Sequence, residues 1–235
     1  MSSPDSGRVE TTRPDDSAAI RASVSVALAV SAYGVSFGAL AVASGLDVWQ
    51  ACVLSLLMFS GGSQFALIGV VAAGGAGPAA IAGAALLGLR NTLYAVRMGP
   101  IVGGPWWRRM LAAPFTIDES TAVGTAQPTL RTQRLGFWVT GLGIYVGWNL
   151  TTLAGALLGD LVGDVRQYGL DAAAAAAFLG LLWPRLRARQ PVAVAIAAAV
   201  VAALLVPALP PGIPVLAAAA VAIVVGLTNV LGAKS

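Results

Sequence analysis

Few side chains in this sequence are suited to chemistry, and most of those that are lie inside long apolar runs. Arg90, Tyr94 and Arg97 are spaced by four and three, which puts two cations and a phenol on one face of a helix. Asp118 and Glu119 stand side by side in another apolar run, and adjacent helical residues point about 100° apart. A charged side chain at the centre of a bilayer costs roughly 2.5–3.5 kcal/mol on insertion scales. In lipid, Arg90, Arg97, Asp118 and Glu119 must therefore pair, reach an interface or face water. One of the two acids is the obvious partner for Arg90, leaving the other to face a cavity; a purely structural ion pair between two helices is the alternative. Arg97, near its segment end, reads as a residue that snorkels to the surface.

A second chemistry comes from Ser60-Gly61-Gly62-Ser63-Gln64, in the middle of an apolar stretch. Glycines let the chain unwind there and free backbone N–H groups at the start of the next half-helix. That end carries partial positive charge and suits a carboxylate. Ser60, Ser63 and Gln64 add side-chain donors and acceptors. A kink in which Gln64 bonds a neighbouring backbone is the plainer reading. Asn149, Thr151 and Thr152, beside Trp148, form a third polar cluster best suited to hydrogen bonds between helices.

What is missing narrows the field. The chain has no His, which removes the commonest general base and metal ligand, Ser–His catalysis and any HExxH zinc site. Cys52 is the single cysteine, so neither an intramolecular disulfide nor a cysteine metal cluster can form. No enzyme, metal site or cofactor is expected. The net charge of +4 does not point to nucleic acid, because the arginines cluster in short gaps between apolar runs, as topology signals do.

The elements that hold these residues follow from composition. Hydrophobic residues make up 57% and charged residues 10% of the 235, against about 25% charged in a soluble domain. Too few polar groups exist to cover a water-facing surface, so lipid is the solvent. Residues 1–23 are polar and read as a disordered cytoplasmic tail, not as a secretory signal; residues 24–232 read as one transmembrane domain. A spanning helix needs roughly 20 apolar residues. Eight stretches qualify or come close: 24–44, 48–73, 78–99, 109–126, 135–158, 170–186, 192–209 and 215–231. Prolines punctuate their edges, Pro100 among them, and only Pro114 falls inside a span.

The expected fold is an all-α integral membrane bundle of six to eight spans, two of them interrupted or re-entrant. The interruptions are 60–64 and the stretch around Pro114, Thr116, Asp118 and Glu119. Paired interruptions of this kind mark transporter binding sites. With both re-entrant, six full spans remain and nearly every arginine falls on the side of the N-terminus, Arg166 excepted. The positive-inside rule makes that side cytoplasmic. Glycines at four-residue spacing (Gly34 with Gly38, Gly143 with Gly147, Gly155 with Gly159 and Gly163) let helix backbones approach closely.

Taken in order, these motifs resemble the AzlC family, the large subunit of branched-chain amino-acid exporters. The resemblance runs from about Ala32 to Arg185. It rests on Tyr33-Gly34-Val35-Ser36-Phe37-Gly38, Phe59-Ser60-Gly61-Gly62-Ser63-Gln64-Phe65, Leu89-Arg90-Asn91-Thr92-Leu93-Tyr94 and Phe115-Thr116-Ile117-Asp118-Glu119-Ser120, with Leu170-Asp171 and Pro184 beyond them. The family often carries His where this chain has Asn91, so no proton-handling role passes to that position. The resemblance implies a multi-pass transporter of the bacterial inner membrane for valine, leucine, isoleucine and methionine. It also implies a small AzlD-type membrane partner and coupling to the proton-motive force.

These readings combine into one expected site. Gly62–Gln64 would hold a substrate carboxylate. Asp118 or Glu119 would hold its ammonium or carry a coupled proton, with Arg90, Asn91 and Tyr94 in the same charged set. Tyr33, Phe37 and Phe65 would line a side-chain pocket. A passive channel and a structural subunit of a membrane complex are the competing functions.

Overall fold

The computed structural model describes residues 14–162, 179–180, 182–183 and 186–228. Helices dominate, and no strand occurs among the described residues. Helix α1 spans Pro14–Ala43. Pro14 is pre-set for a first helical turn, and Asp15 and Asp16 lie at the positive end of the helix. Gly45, with φ of 96°, follows its end. Asp47 then caps α2 (Val48–Leu57) by accepting from the Gln50 backbone N–H at 2.7 Å, while the Gln50 side chain accepts from the Asp47 N–H at 3.0 Å. Two donors at the helix start are thereby satisfied reciprocally.

Three residues separate α2 from α3 (Gly61–Ala72), which ends just before Gly74, whose φ is 76°. Helix α4 (Gly77–Val102) stops at Gly103 and Gly104, both with positive φ, and Pro105. The fourth apolar stretch is divided into α5 (Trp106–Ala112), a 3-10 turn (Ala113–Phe115) and α6 (Asp118–Thr125). Helices α7 (Leu130–Val162), α8 (Arg189–Leu205) and α9 (Ile213–Thr228) follow, with α8 and α9 packed on each other.

Three of these helices are long and apolar enough to cross a membrane: α1 over Asp15–Ala43, α4 over Gly77–Val102 and α7 over Leu130–Val162. Large side chains such as Leu57, Leu93 and Leu161 are more than 70% exposed. Lipid is the medium that makes such exposure favourable. Most of the expected sixth stretch, Leu170, Asp171 and Pro184 included, lies outside the described residues, as do Arg166 and Gly163.

The structure corrects the expected tail boundary. The tail is helical from Pro14, not disordered through residue 23, because Asp16, Ala19 and Ser23 form a buried stripe along α1. Asp16 accepts from Arg131 Nη2 at 2.8 Å, and Ser23 Oγ lies within reach of the Ala19 and Gly136 carbonyls. Pro100 sits inside the last turn of α4, at the edge of its stretch. The contacts divide the chain into two compact units: residues 1–29 with 94–144, and residues 30–93 with 145–235. The dividing points fall within α1, α4 and α7, each long enough to serve both units.

In the second unit, α1 and α7 touch backbone to backbone. A β-carbon on Gly38 would overlap the Thr152 carbonyl oxygen, one on Gly155 the Val35 carbonyl oxygen, and one on Gly147 the Ser31 hydroxyl. Gly34 lies likewise against Thr151, whose hydroxyl donates to the Ser31 carbonyl at 2.6 Å. The core of the first unit is Met98, Val102, Ala112 and Phe137, with Ile101, Phe115 and Trp138 packed around them.

Candidate functional site

Both interrupted stretches are broken helices, and each break is fastened by a side chain from the helix that follows it. In the second unit the chain leaves helical geometry over Met58–Ser60, slightly earlier than the Ser60–Gln64 stretch expected from sequence. Gly61, Gly62, Ser63 and Gln64 form the opening turn of α3. Gln64, fully buried, reaches back across the break, where Nε2 donates to the Met58 carbonyl at 2.7 Å and lies 3.5 Å from the Ser55 carbonyl. Its Oε1 accepts from Trp148 Nε1 at 2.9 Å. In the first unit Ser120 plays the matching part: its hydroxyl donates to the Phe115 carbonyl at 2.6 Å and accepts from the Ile117 N–H at 3.1 Å.

Gln64 thus makes the bonds of the plainer of its two expected roles, with both ends of its amide engaged by protein across the break. Trp148 is the residue the sequence reading undervalues. Its indole presses on Gly61, with Cη2 3.1 Å from where a β-carbon would sit. It also packs with Phe37 and Phe65, the three ring centroids lying 5.7–6.4 Å apart. Phe37 and Phe65 are fully or almost fully buried in this cluster, where they support the break. Tyr33 is 55% exposed. The one sequence signal for Trp148 is a large donor-bearing ring beside Asn149 within an apolar helix. Trp148→Phe keeps the ring but orphans Gln64 Oε1, an error worth about 1–3 kcal/mol; thermal unfolding in detergent should register that loss.

The start of α3 is built to receive an acceptor. Ser60 occupies the N-cap position yet makes no side-chain capping bond. The first helical bond described runs from the Gln64 N–H to the Ser60 carbonyl, and the N–H groups ahead of it have no helical carbonyl to meet. Ser60 Oγ and Ser63 Oγ are both buried and have no hydrogen-bond partner among the described residues. The Arg90 guanidinium approaches the same turn from α4, with Nη2 2.9 Å from where a β-carbon on Gly62 would stand. Gly62 leaves space for that cation. A helix N-terminus, two uncommitted hydroxyls and a guanidinium thus converge on one turn, all favouring an anion.

Other polar atoms of the expected site are distributed more widely. Asn91 Oδ1 and Asn149 Oδ1, both in the second unit, are buried without a hydrogen-bond partner, although Asn149 Nδ2 donates to the Tyr145 carbonyl at 2.8 Å. Tyr94 is half-buried and Arg97 exposed. Asp118 and Glu119, half-buried, open α6 in the first unit, where the helix dipole favours acidic side chains.

Apolar surfaces turned outward, helices long enough to span and two discontinuous helices define an integral membrane protein. Residues 25–162 match the family model described as AzlC protein. That match covers more than half of the chain, which belongs to the AzlC family. The AzlC family is one of membrane transporters, and the chain's role is in membrane transport. Searches of curated proteins and of solved structures return no match.

Proposed function

We propose that the chain exports the branched-chain amino acids valine, leucine and isoleucine, with methionine as a further substrate. Export would cross the bacterial inner membrane, driven by the proton-motive force and assisted by a small AzlD-type subunit. The N-terminus is then cytoplasmic. The observation that carries this reading is the uncapped start of α3, with unpartnered Ser60 and Ser63 hydroxyls and Arg90 beside Gly62. An amino acid is a zwitterion, and its carboxylate is the group this turn suits. Backbone N–H groups at Gly61–Ser63, both hydroxyls and Arg90 would bind it. Asn91 Oδ1 and Asn149 Oδ1 are acceptors suited to an ammonium. Asp118 and Glu119 are the groups able to take up and release the coupled proton.

Proteoliposomes containing the chain and a small partner subunit test the proposal. Labelled leucine should exchange saturably with internal leucine, and an imposed proton gradient should drive its accumulation. Equilibration without saturation or accumulation would make the protein a passive pore. Combining Ser60→Ala with Ser63→Ala should raise the KM for leucine at least about tenfold, since a hydrogen bond to a charged carboxylate contributes about 1.5–3 kcal/mol.

A further inference from the structure

A groove in the first unit, between the last turns of α4 and the α5–3-10 segment, has a volume of about 480 Å³. This falls within the range of about 300–1,000 Å³ usual for ligand cavities. Its floor is apolar and buried (Met98, Val102 and Ala112), and its rims, including Val96 and Ala113, are exposed. Among the described residues, Arg109 is its one charged lining residue and none that lines it is acidic. The other polar lining residue, Thr116, has its hydroxyl bonded to the Ala112 carbonyl at 2.9 Å. An occupant must therefore be long and apolar, with an anionic end.

The surroundings place that anionic end at a membrane surface. Trp106 and Trp107 are 75% and 53% exposed immediately before Arg108 and Arg109. Exposed tryptophans beside arginines are the usual signature of the interface between hydrocarbon and headgroups. Arg134 adds a further cation, since its Nε donates to the Ile101 carbonyl at 2.6 Å and its guanidinium lies against Gly103. Arg108 packs against Gly104. Three arginines thus surround the end of α4. Basic pockets of this kind between membrane helices recognise acidic headgroups, while an apolar groove open to the bilayer accepts an acyl chain.

We propose that this groove binds an anionic phospholipid, with its phosphate on Arg109 and an acyl chain along Met98, Val102 and Ala112. The site differs from the α3 turn in residues and in ligand, so it stands or fails independently of the transport reading.

Gly99 provides a variant that leaves every charge in place. It lines the groove, and a β-carbon there would meet nothing within 4 Å; Gly99→Leu fills the groove without a backbone clash. The full chain, purified in detergent, would be titrated with palmitoyl-oleoyl-phosphatidylglycerol and bound lipid counted by native mass spectrometry. Arg109→Gln and Gly99→Leu should each weaken retention at least about fivefold, a loss equivalent to one charge-assisted contact. Arg21→Gln, which removes an exposed arginine elsewhere on α1, should retain the wild-type value, and phosphatidylcholine retention should not change in any variant. The proposal fails if Arg109→Gln behaves like Arg21→Gln, or if Gly99→Leu binds phosphatidylglycerol normally. It also fails if leucine displaces the lipid, which would make the groove part of the solute path.

Discussion

Leucine at Gly38 should leave no folded protein to purify. A single methyl there already overlaps the Thr152 carbonyl oxygen and approaches the Ala156 nitrogen to 2.6 Å, so the obstacle is backbone that cannot rotate aside. Gly38→Ala should fall at the upper end of the roughly 1–3 kcal/mol that overpacking costs. The penalty is severe in a membrane because lipid solvates separated helices well, and close van der Waals packing is what holds them together. Gly155→Leu should behave in the same way against Val35. Gly69, by contrast, is exposed and has nothing within 4 Å of a built β-carbon. Gly69→Ala should be neutral or gain about 0.5–1 kcal/mol from reduced backbone entropy. Monodisperse yield and thermal unfolding of the four variants, measured together, check the contrast. Equal stability of Gly38→Leu and wild type would mean that α1 and α7 do not pack as described.

The second large effect falls on transport. Arg90→Gln should reduce leucine transport by roughly 10- to 100-fold, the equivalent of losing a charge-assisted hydrogen bond of about 1.5–3 kcal/mol. The loss should appear mainly as a raised KM if the guanidinium holds the substrate carboxylate in its ground state. Gly62→Ala gives an independent check. It keeps the cation but places a methyl 2.9 Å from Arg90 Nη2 and 3.6 Å from Leu87 Cδ2, so the guanidinium must withdraw. Its KM should rise in the same direction while the amount of folded protein is retained. An unchanged KM in both variants, with leucine still transported, would remove Arg90 and the α3 turn from the substrate path.

Several features of the fold were legible because they depend on short-range chemistry. Gly61-Gly62 beside two serines marks a break in an apolar run, and the break falls just before them. Pro114 with Thr116 marks the other. Glycines four apart foretell close helix contact, and Gly34, Gly38, Gly147, Gly155 and Gly159 all lie where α1 meets α7. The anion-binding character of the α3 start was readable as well, since it comes from the backbone of a helix beginning in mid-sequence.

Other residues were misjudged because their roles depend on partners far away in the chain. A glutamine in mid-span reads either as a ligand for something passing by or as the tie of a kink. Gln64 bonds Met58, six residues back, as a kink requires, and Trp148, 84 residues ahead, which spacing cannot show. Tyr33 and Phe37 share a helical period, yet Phe37 is fully buried and Tyr33 mostly exposed; periodicity gives a face but not what covers it. Residues 14–23 have a tail's composition, but Arg131, 115 positions from Asp16, holds that acid in a buried place.

Composition and spacing by themselves determined the solvent, the helical class, the two breaks and the glycine contact line, because lipid permits few backbone solutions and glycine few substitutes. Tertiary structure alone decided which polar groups are spent on the protein and which remain for a ligand. A side chain's chemistry is fixed by its type, but its availability depends on what lies within about 3 Å of it, and that is set by segments distant in sequence.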